Sequence, residues 1–213
     1  LMEIFCFYMA VELKNSMFIH VPKTGGRWVK QMLFNYVEGA KAVGDAVYDS
    51  HNTPMTHKQT FAFLRHPMTF VHSLFHHRAR KKSNTRGHQW NWQNDLRLER
   101  ECQAEEYEAF LTKIVGNKNV VKDYYDHYTT NHYPDIKFGY METLCNDLII
   151  MIDALGEKFD EPSIYMHGKL IVGGRDASGP ITVQEAMIKQ EYLDAMYESE
   201  KELFERHDVW MPS

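Results

Sequence analysis

Met17-Phe18-Ile19-His20-Val21-Pro22-Lys23-Thr24-Gly25-Gly26-Arg27-Trp28 contains the change of period on which the fold turns. Up to Val21 the run is short and apolar, which predicts a buried strand at 17–21. Beyond the glycines, Trp28, Val29, Met32, Leu33 and Tyr36 follow helical spacing, which predicts a helix over 26–37. The Lys-Thr-Gly-Gly turn joins the two. A strand that hands a glycine-bearing loop to a helix N-terminus makes an anion site. Backbone amides converge there, the helix dipole favours negative charge, and Lys23 adds a full positive charge. Side chains at Gly25 or Gly26 would hold a phosphate away from the backbone. The lysine stands before the glycines, whereas a Walker A loop reads G-x-x-x-x-G-K-[ST], which argues against an ordinary ATPase.

Thr60-Phe61-Ala62-Phe63-Leu64 reads as a second buried strand, followed by Arg65-His66-Pro67 and a helix carrying Phe70, Val71, Leu74 and Phe75. Pro67 suits the first position of that helix, predicted at 67–81. Arg65 falls at the strand's carboxyl end, where open α/β sheets bind ligands. Ser73 lies about two turns into the helix. A guanidinium matches phosphate oxygens two at a time, so Arg65 with Ser73 forms a candidate second phosphate site.

Pro22-Lys23-Thr24-Gly25-Gly26 resembles the 5′-phosphosulfate loop of sulfotransferases that use 3′-phosphoadenosine-5′-phosphosulfate (PAPS). Phe63-Leu64-Arg65-His66-Pro67, with Ser73-Leu74-Phe75 beyond it, is similar to the 3′-phosphate motif of the same family. Phe138-Gly139-Tyr140-Met141-Glu142-Thr143-Leu144, with Asp147 and Leu148, resembles a later strand-then-Glu-x-Leu segment, and the likeness is closest to the carbohydrate branch. The resemblance implies a single sulfotransferase-like domain over 1–213, with a three-layer, P-loop-like α/β fold and a central parallel sheet flanked by helices. It implies transfer of a sulfuryl group from PAPS to an acceptor hydroxyl, a carbohydrate first of all and an amine as a variant, with no metal. Lys23, Thr24, Gly25, Gly26, Arg27 and Trp28 would surround the 5′-phosphosulfate, and Arg65 and Ser73 would clamp the 3′-phosphate. Gly173-Gly174-Arg175 would fold over the nucleotide. His51, in the loop-like stretch Asp49-Ser50-His51-Asn52-Thr53-Pro54, is the first candidate for the general base, because a free histidine titrates near pH 6.5. His57 is the second, and another histidine or glutamate stays open among the 12 histidines.

Composition agrees with one enzyme-sized α/β chain. At 213 residues it can bury a sizeable core. Its 24 basic and 29 acidic residues leave a net charge of −5, which points away from nucleic acid. Cys6, Cys102 and Cys145 are widely spaced and odd in number, fitting neither a disulfide framework nor a zinc pattern. The apolar stretch Ile4–Val11 is too short to span a bilayer and lacks the basic start of a signal peptide, so a cytoplasmic location is expected.

Further strands are predicted at 136–140 and, more weakly patterned, at 118–122. Helices are predicted at 104–115, 142–155 and 182–206, the last opened by a Thr182/Glu185 capping box. Alternation of strands and helices argues for a parallel sheet covered on both faces. His20 reads as a satisfied core histidine and Glu142 as a loop brace. Arg78-Ala79-Arg80-Lys81-Lys82, with Arg86, Trp90 and Trp92, reads equally as an acceptor-binding loop or as a solvated helix end. Acceptor identity and oligomeric state are not legible. Two other functions fit the same motifs: a small-molecule kinase, and a non-catalytic nucleotide- or glycan-binding protein.

Overall fold

A computed structural model describes residues 10–43, 56–78, 92, 95–131, 133–168 and 182–210. The strands are β1 (Ala10–Glu12), β2 (Ser16–Ile19), β3 (Lys41–Val43), β4 (Gln59–Leu64) and β5 (Lys137–Tyr140). The helices are α1 (Gly26–Tyr36), α2 (Pro67–Arg78), α3 (Arg97–Cys102), α4 (Tyr107–Gly116), α5 (Val120–Tyr128), α6 (Leu144–Ala154), α7 (Glu161–Gly168), α8 (Val183–Met187), α9 (Gln190–Ser199) and α10 (Lys201–Arg206). Contacts divide the chain into two compact units, Leu1–Arg65 with His127–Gly174, and His66–Asp126 with Arg175–Ser213.

The first unit holds the five-stranded sheet, in the order β3-β1-β2-β4-β5. Strands β2, β4 and β5 are parallel, in a register that sets Phe18 beside Phe61 and Leu64 beside Tyr140. Strand β1 runs antiparallel to both β2 and β3. The expected parallel sheet is present in β2, β4 and β5, within a mostly parallel whole in which four strands share a direction and β1 opposes them. The cause lies in the segment before β2. Its Ala10-Val11 end pairs as a hairpin, closed by the Leu13 amide on the Ser16 carbonyl at 2.8 Å. Glu157 Oε1 clamps this turn by accepting the Asn15 amide at 2.9 Å and the Ser16 hydroxyl at 2.7 Å.

Strand periodicity sorts the core. Val11, Phe18, Phe61 and Phe63 stand on one face, with Val29, Met32 and Leu33 of α1, Leu148 and Ile152 of α6 and Ile164 of α7 in the same cluster. Their neighbours in sequence, Met17, Ile19, Ala62 and Leu64, are buried as well. Burial of both faces is why β2 and β4 read as unbroken apolar runs rather than alternating ones.

The second unit is helical. His66 prepares the start of α2: its carbonyl accepts the Thr69 hydroxyl at 3.1 Å and the Phe70 amide at 2.9 Å, and its Nδ1 accepts the Met68 amide at 3.2 Å. The segment 118–122, predicted as a strand, opens α5 instead. Asn119 turns the chain at φ 60°, and the buried Glu200 carboxylate accepts the amides of Val121 at 2.8 Å and Lys122 at 2.9 Å. A cap supplied by the residue between α9 and α10 has overridden the strand preference of Val120-Val121. The helix predicted at 182–206 is broken into α8, α9 and α10 at Ile188 (φ 63°) and Glu200. The Thr182/Glu185 capping box is present as expected. No helix among the described residues is long and apolar enough to cross a membrane.

Buried titratable groups make this unit's stability depend on pH. Burial pushes His66 and His207 down to about 4, and the Arg206 cation adds to the effect on His207. Their contribution is complete above the unfolded value near 6.5 and is withdrawn as pH falls toward about 4. Burial pushes Glu200 up to about 7, against the lowering effect of the amides it caps. Its sign is opposite: its contribution is complete below about 4.5 and is lost as pH rises through about 7. Glu200→Gln is therefore expected to steepen the loss of stability between pH 6.5 and 4.5, because the buried histidines then titrate without the opposing carboxylate. Urea unfolding across that range checks this, and parallel slopes for the two proteins would refute it.

Candidate functional site

The connections around the sheet define where a ligand belongs. From β2 the chain passes through α1 to β3 at one edge, and from β4 it passes to β5 at the other. Strand order therefore reverses between β2 and β4, and open α/β sheets bind ligands outside the carboxyl ends of strands at such a point. The Lys-Thr-Gly-Gly loop leaves the carboxyl end of β2, and Arg65 leaves that of β4.

The loop has a demanding backbone. Lys23 adopts φ 69° and Gly25 φ 83°, with Thr24 between them outside that region. A lysine at positive φ is uncommon and costs about 1–2 kcal/mol. Alternation of this kind turns successive amides toward one side and makes an anion-binding concavity. The Trp28 and Val29 amides both bond to the Gly25 carbonyl, at 2.9 and 3.2 Å. Residues 22–25 form a turn in which the amides of Thr24, Gly25, Gly26 and Arg27 make at most long hydrogen bonds among the described residues, and α1 has no side-chain cap. Four consecutive donors thus stand at the positive end of an 11-residue helix.

Close packing accounts for both glycines. A Cβ at Gly25 would lie 2.5 Å from Met141 Sδ and 2.8 Å from Leu144 Cδ2, so the loop rests on the turn after β5. A Cβ at Gly26 would fall onto the His20 ring. His20 is therefore a structural neighbour of the loop, though not a satisfied one: its Nδ1 is buried without a hydrogen-bond partner among the described residues. The ring stacks on Phe18 with centroids 6.3 Å apart. Burial first, then the nearby charges of Lys30 and Lys23, push His20 down to about 3, so it is neutral at physiological pH.

The other expected site residues are distributed as follows. Lys23 is half-buried and Arg27 exposed, while Trp28 is partly buried against the core cluster. Thr24 is buried and donates its hydroxyl to the Val21 carbonyl at 2.9 Å, so its proton braces the loop. Arg65 is buried at 7% exposure immediately after β4. Ser73 belongs to the helical unit, where it is buried on α2. Glu142 is exposed at the carboxyl end of β5, and Asp147 ties that end down by accepting the Tyr140 amide at 2.7 Å and the Thr143 hydroxyl at 2.8 Å.

His57 is not brought to the loop. It precedes β4, whereas the loop lies at the carboxyl end of the sheet, and six residues of strand span about 20 Å. His51, Arg175, residues 79–90 and Cys6 lie outside the described residues. The two described members of the basic–aromatic cluster are structural. Arg78 is buried in an ion pair with Glu99, and Trp92 packs on Phe110 with centroids 5.3 Å apart. Cys102 and Cys145 are free thiols. Among the described residues no group of three or more His, Cys, Asp or Glu could hold a metal ion.

Sequence reading missed Lys30. It is 2% exposed on the core face of α1, between Val29 and Met32. The signal was present: a lysine four residues after Gly26 interrupts an otherwise apolar helical stripe.

Fold and site together define an α/β chain with a glycine-bearing strand–loop–helix turn at the strand-order reversal of its sheet. Comparison with known proteins adds no narrower class: the chain matches no family model, and no curated protein or solved structure is significantly similar to it.

Proposed function

We propose that this chain is a PAPS-dependent sulfotransferase with a P-loop-like fold, acting on an acceptor hydroxyl, most naturally of a glycan or small hydroxyl compound. The observation that carries the reading is the turn from Thr24 to Arg27, whose amides are at most weakly bonded among the described residues, beside Lys23 and the uncapped start of α1 at the carboxyl end of β2. Those groups suit the 5′-phosphosulfate. Arg65 at the neighbouring strand end suits the 3′-phosphate, with Ser73 as the second group that the sequence resemblance assigns to it.

In transfer, the acceptor oxygen forms a bond to sulfur while the bond from sulfur to the bridging phosphate oxygen breaks. The acceptor proton leaves to a base, for which His51 remains the proposed residue, and 3′,5′-adenosine diphosphate departs. Lys23 and the loop amides hold the negative charge that grows on the departing phosphate, a fixed electrostatic arrangement that needs no reorganisation at the moment of reaction.

Calorimetric titration with 3′,5′-adenosine diphosphate, against 5′-AMP and ATP with and without chelator, tests the reading. Metal-independent binding that requires the 3′-phosphate is the expected result. Preference for ATP with magnesium would overturn it in favour of a kinase. Binding of 3′,5′-adenosine diphosphate without turnover of PAPS on a panel of hydroxyl acceptors would favour a non-catalytic binding protein.

A further inference from the structure

The segment from Phe138 to Leu144, with Asp147 and Leu148 beyond it, has no part in the transfer proposed above, yet it is closely built. At Gly139 a Cβ would lie 2.5 Å from Phe63 Cε1 and 3.1 Å from Asp147 Cβ, so the missing side chain lets β4 and α6 close on β5. Asp147 ties down the turn Met141–Thr143, accepting the Tyr140 amide at 2.7 Å and the Thr143 hydroxyl at 2.8 Å on one oxygen. Leu144 and Leu148 anchor the start of α6 in the core, and the partly buried Met141 packs against the same cluster. Hydrogen bonds and core packing thus make the segment a bracket.

Gly25 rests on that bracket, at the N-terminus of α1 with φ 83°. A Cβ there would lie 2.5 Å from Met141 Sδ and 2.8 and 3.4 Å from the two Leu144 methyls, so the bare face of the glycine meets both side chains. Glycine takes positive and negative φ about equally, which leaves a Gly-Gly pair with a very free backbone. Its own chemistry does not select φ 83°, and no side chain caps the helix start to do so. Contact with the bracket does. Leu144 belongs to the core, whereas Met141 stands in the turn before α6, with an unbranched, polarisable side chain that moulds to irregular surfaces.

We infer that Met141 is a positioning residue of the Lys-Thr-Gly-Gly loop, its thioether seated on Gly25 and holding the backbone in the shape that receives the ligand. It acts through Gly25. Ordering the backbone of one residue costs about a factor of ten in an equilibrium. A seated loop has met that cost before the ligand arrives, and an unseated loop meets it on binding. The inference rests on the proposed reading of the loop and adds the residue that shapes it.

Met141→Ala removes the contact, while Met141→Leu keeps its volume and apolar character. Urea unfolding verifies that both variants are folded. In ligand-free protein, the NMR order parameters of Gly25 and Gly26 are expected to fall in Met141→Ala and to hold in Met141→Leu, with those of β2 and β4 unchanged in both. In calorimetric titration with 3′,5′-adenosine diphosphate, Met141→Ala is expected to lose about tenfold in affinity and Met141→Leu to stay within about threefold of the wild type. Unchanged order parameters at the two glycines in Met141→Ala, or wild-type affinity in that variant, overturn the assignment. Failure of the wild type to bind 3′,5′-adenosine diphosphate overturns the reading of the loop, while the order parameters still decide whether Met141 shapes it.

Discussion

Lys23→Ala is expected to lower sulfuryl transfer from PAPS by about 100- to 1,000-fold, the usual consequence of removing one preorganised donor from a site of developing charge. The loss should fall on kcat more than on KM, because the charge that Lys23 meets grows as the phosphate departs. Folding should be almost untouched, since Lys23 is a half-buried turn residue and alanine meets the same penalty at φ 69°. Lys23→Gly sharpens the test. Glycine accepts positive φ freely, so this variant should gain about 1 kcal/mol in stability while losing transfer to the same extent. Opposite signs for stability and activity at one position would mark the strain as part of the site. Steady-state kinetics and urea unfolding on the two variants measure both, and turnover near the wild-type rate would remove Lys23 from the mechanism.

The largest expected effect on stability belongs to Arg78 and Glu99 in the helical unit. Their ion pair joins α2 to α3 at 2.5 Å with side-chain exposures of 7% and 0%. Taking two charges out of water is costly, and their attraction offsets that cost only while both are present. Glu99→Ala leaves a buried guanidinium without this carboxylate and is expected to destabilise by about 3–5 kcal/mol. The double replacement Arg78→Met with Glu99→Leu should recover most of that loss, because an apolar pair of similar volume carries no desolvation cost. Urea unfolding of the wild type, the single and the double variant decides the matter. A single variant that lost less than about 1 kcal/mol would mean that the pair behaves like a surface bridge.

Arg78 also illustrates where reading along the chain stops. In sequence it heads a run of cations, and a run of cations at a helix end reads as solvated or ligand-facing. Its burial follows from the carboxylate of Glu99, 21 residues away, and no local pattern announces such a partner. The strand predicted at 118–122 failed for the same reason. Two adjacent valines have a genuine strand preference, and a carboxylate from residue 200 settled the segment as a helix.

Local chemistry alone determined a good deal: the strand–loop–helix at 17–37, the strand and helix that flank Arg65, the β5 strand, and the capping box at Thr182. Each is encoded within about ten residues, by apolar period, by glycine and proline placement, or by a hydroxyl three residues before a glutamate. The tight turn at Lys23 and Gly25 was legible because the backbone it requires is itself local. Tertiary structure alone decided the antiparallel β1, the meeting of the β2 and β4 carboxyl ends, the seat of His20 on Gly26, the separation of His57 from the loop, and the burial of Lys30 and Arg78. All of these depend on which distant side chain occupies the other side of a contact. A free energy of that kind belongs to the pair and is written at neither position alone.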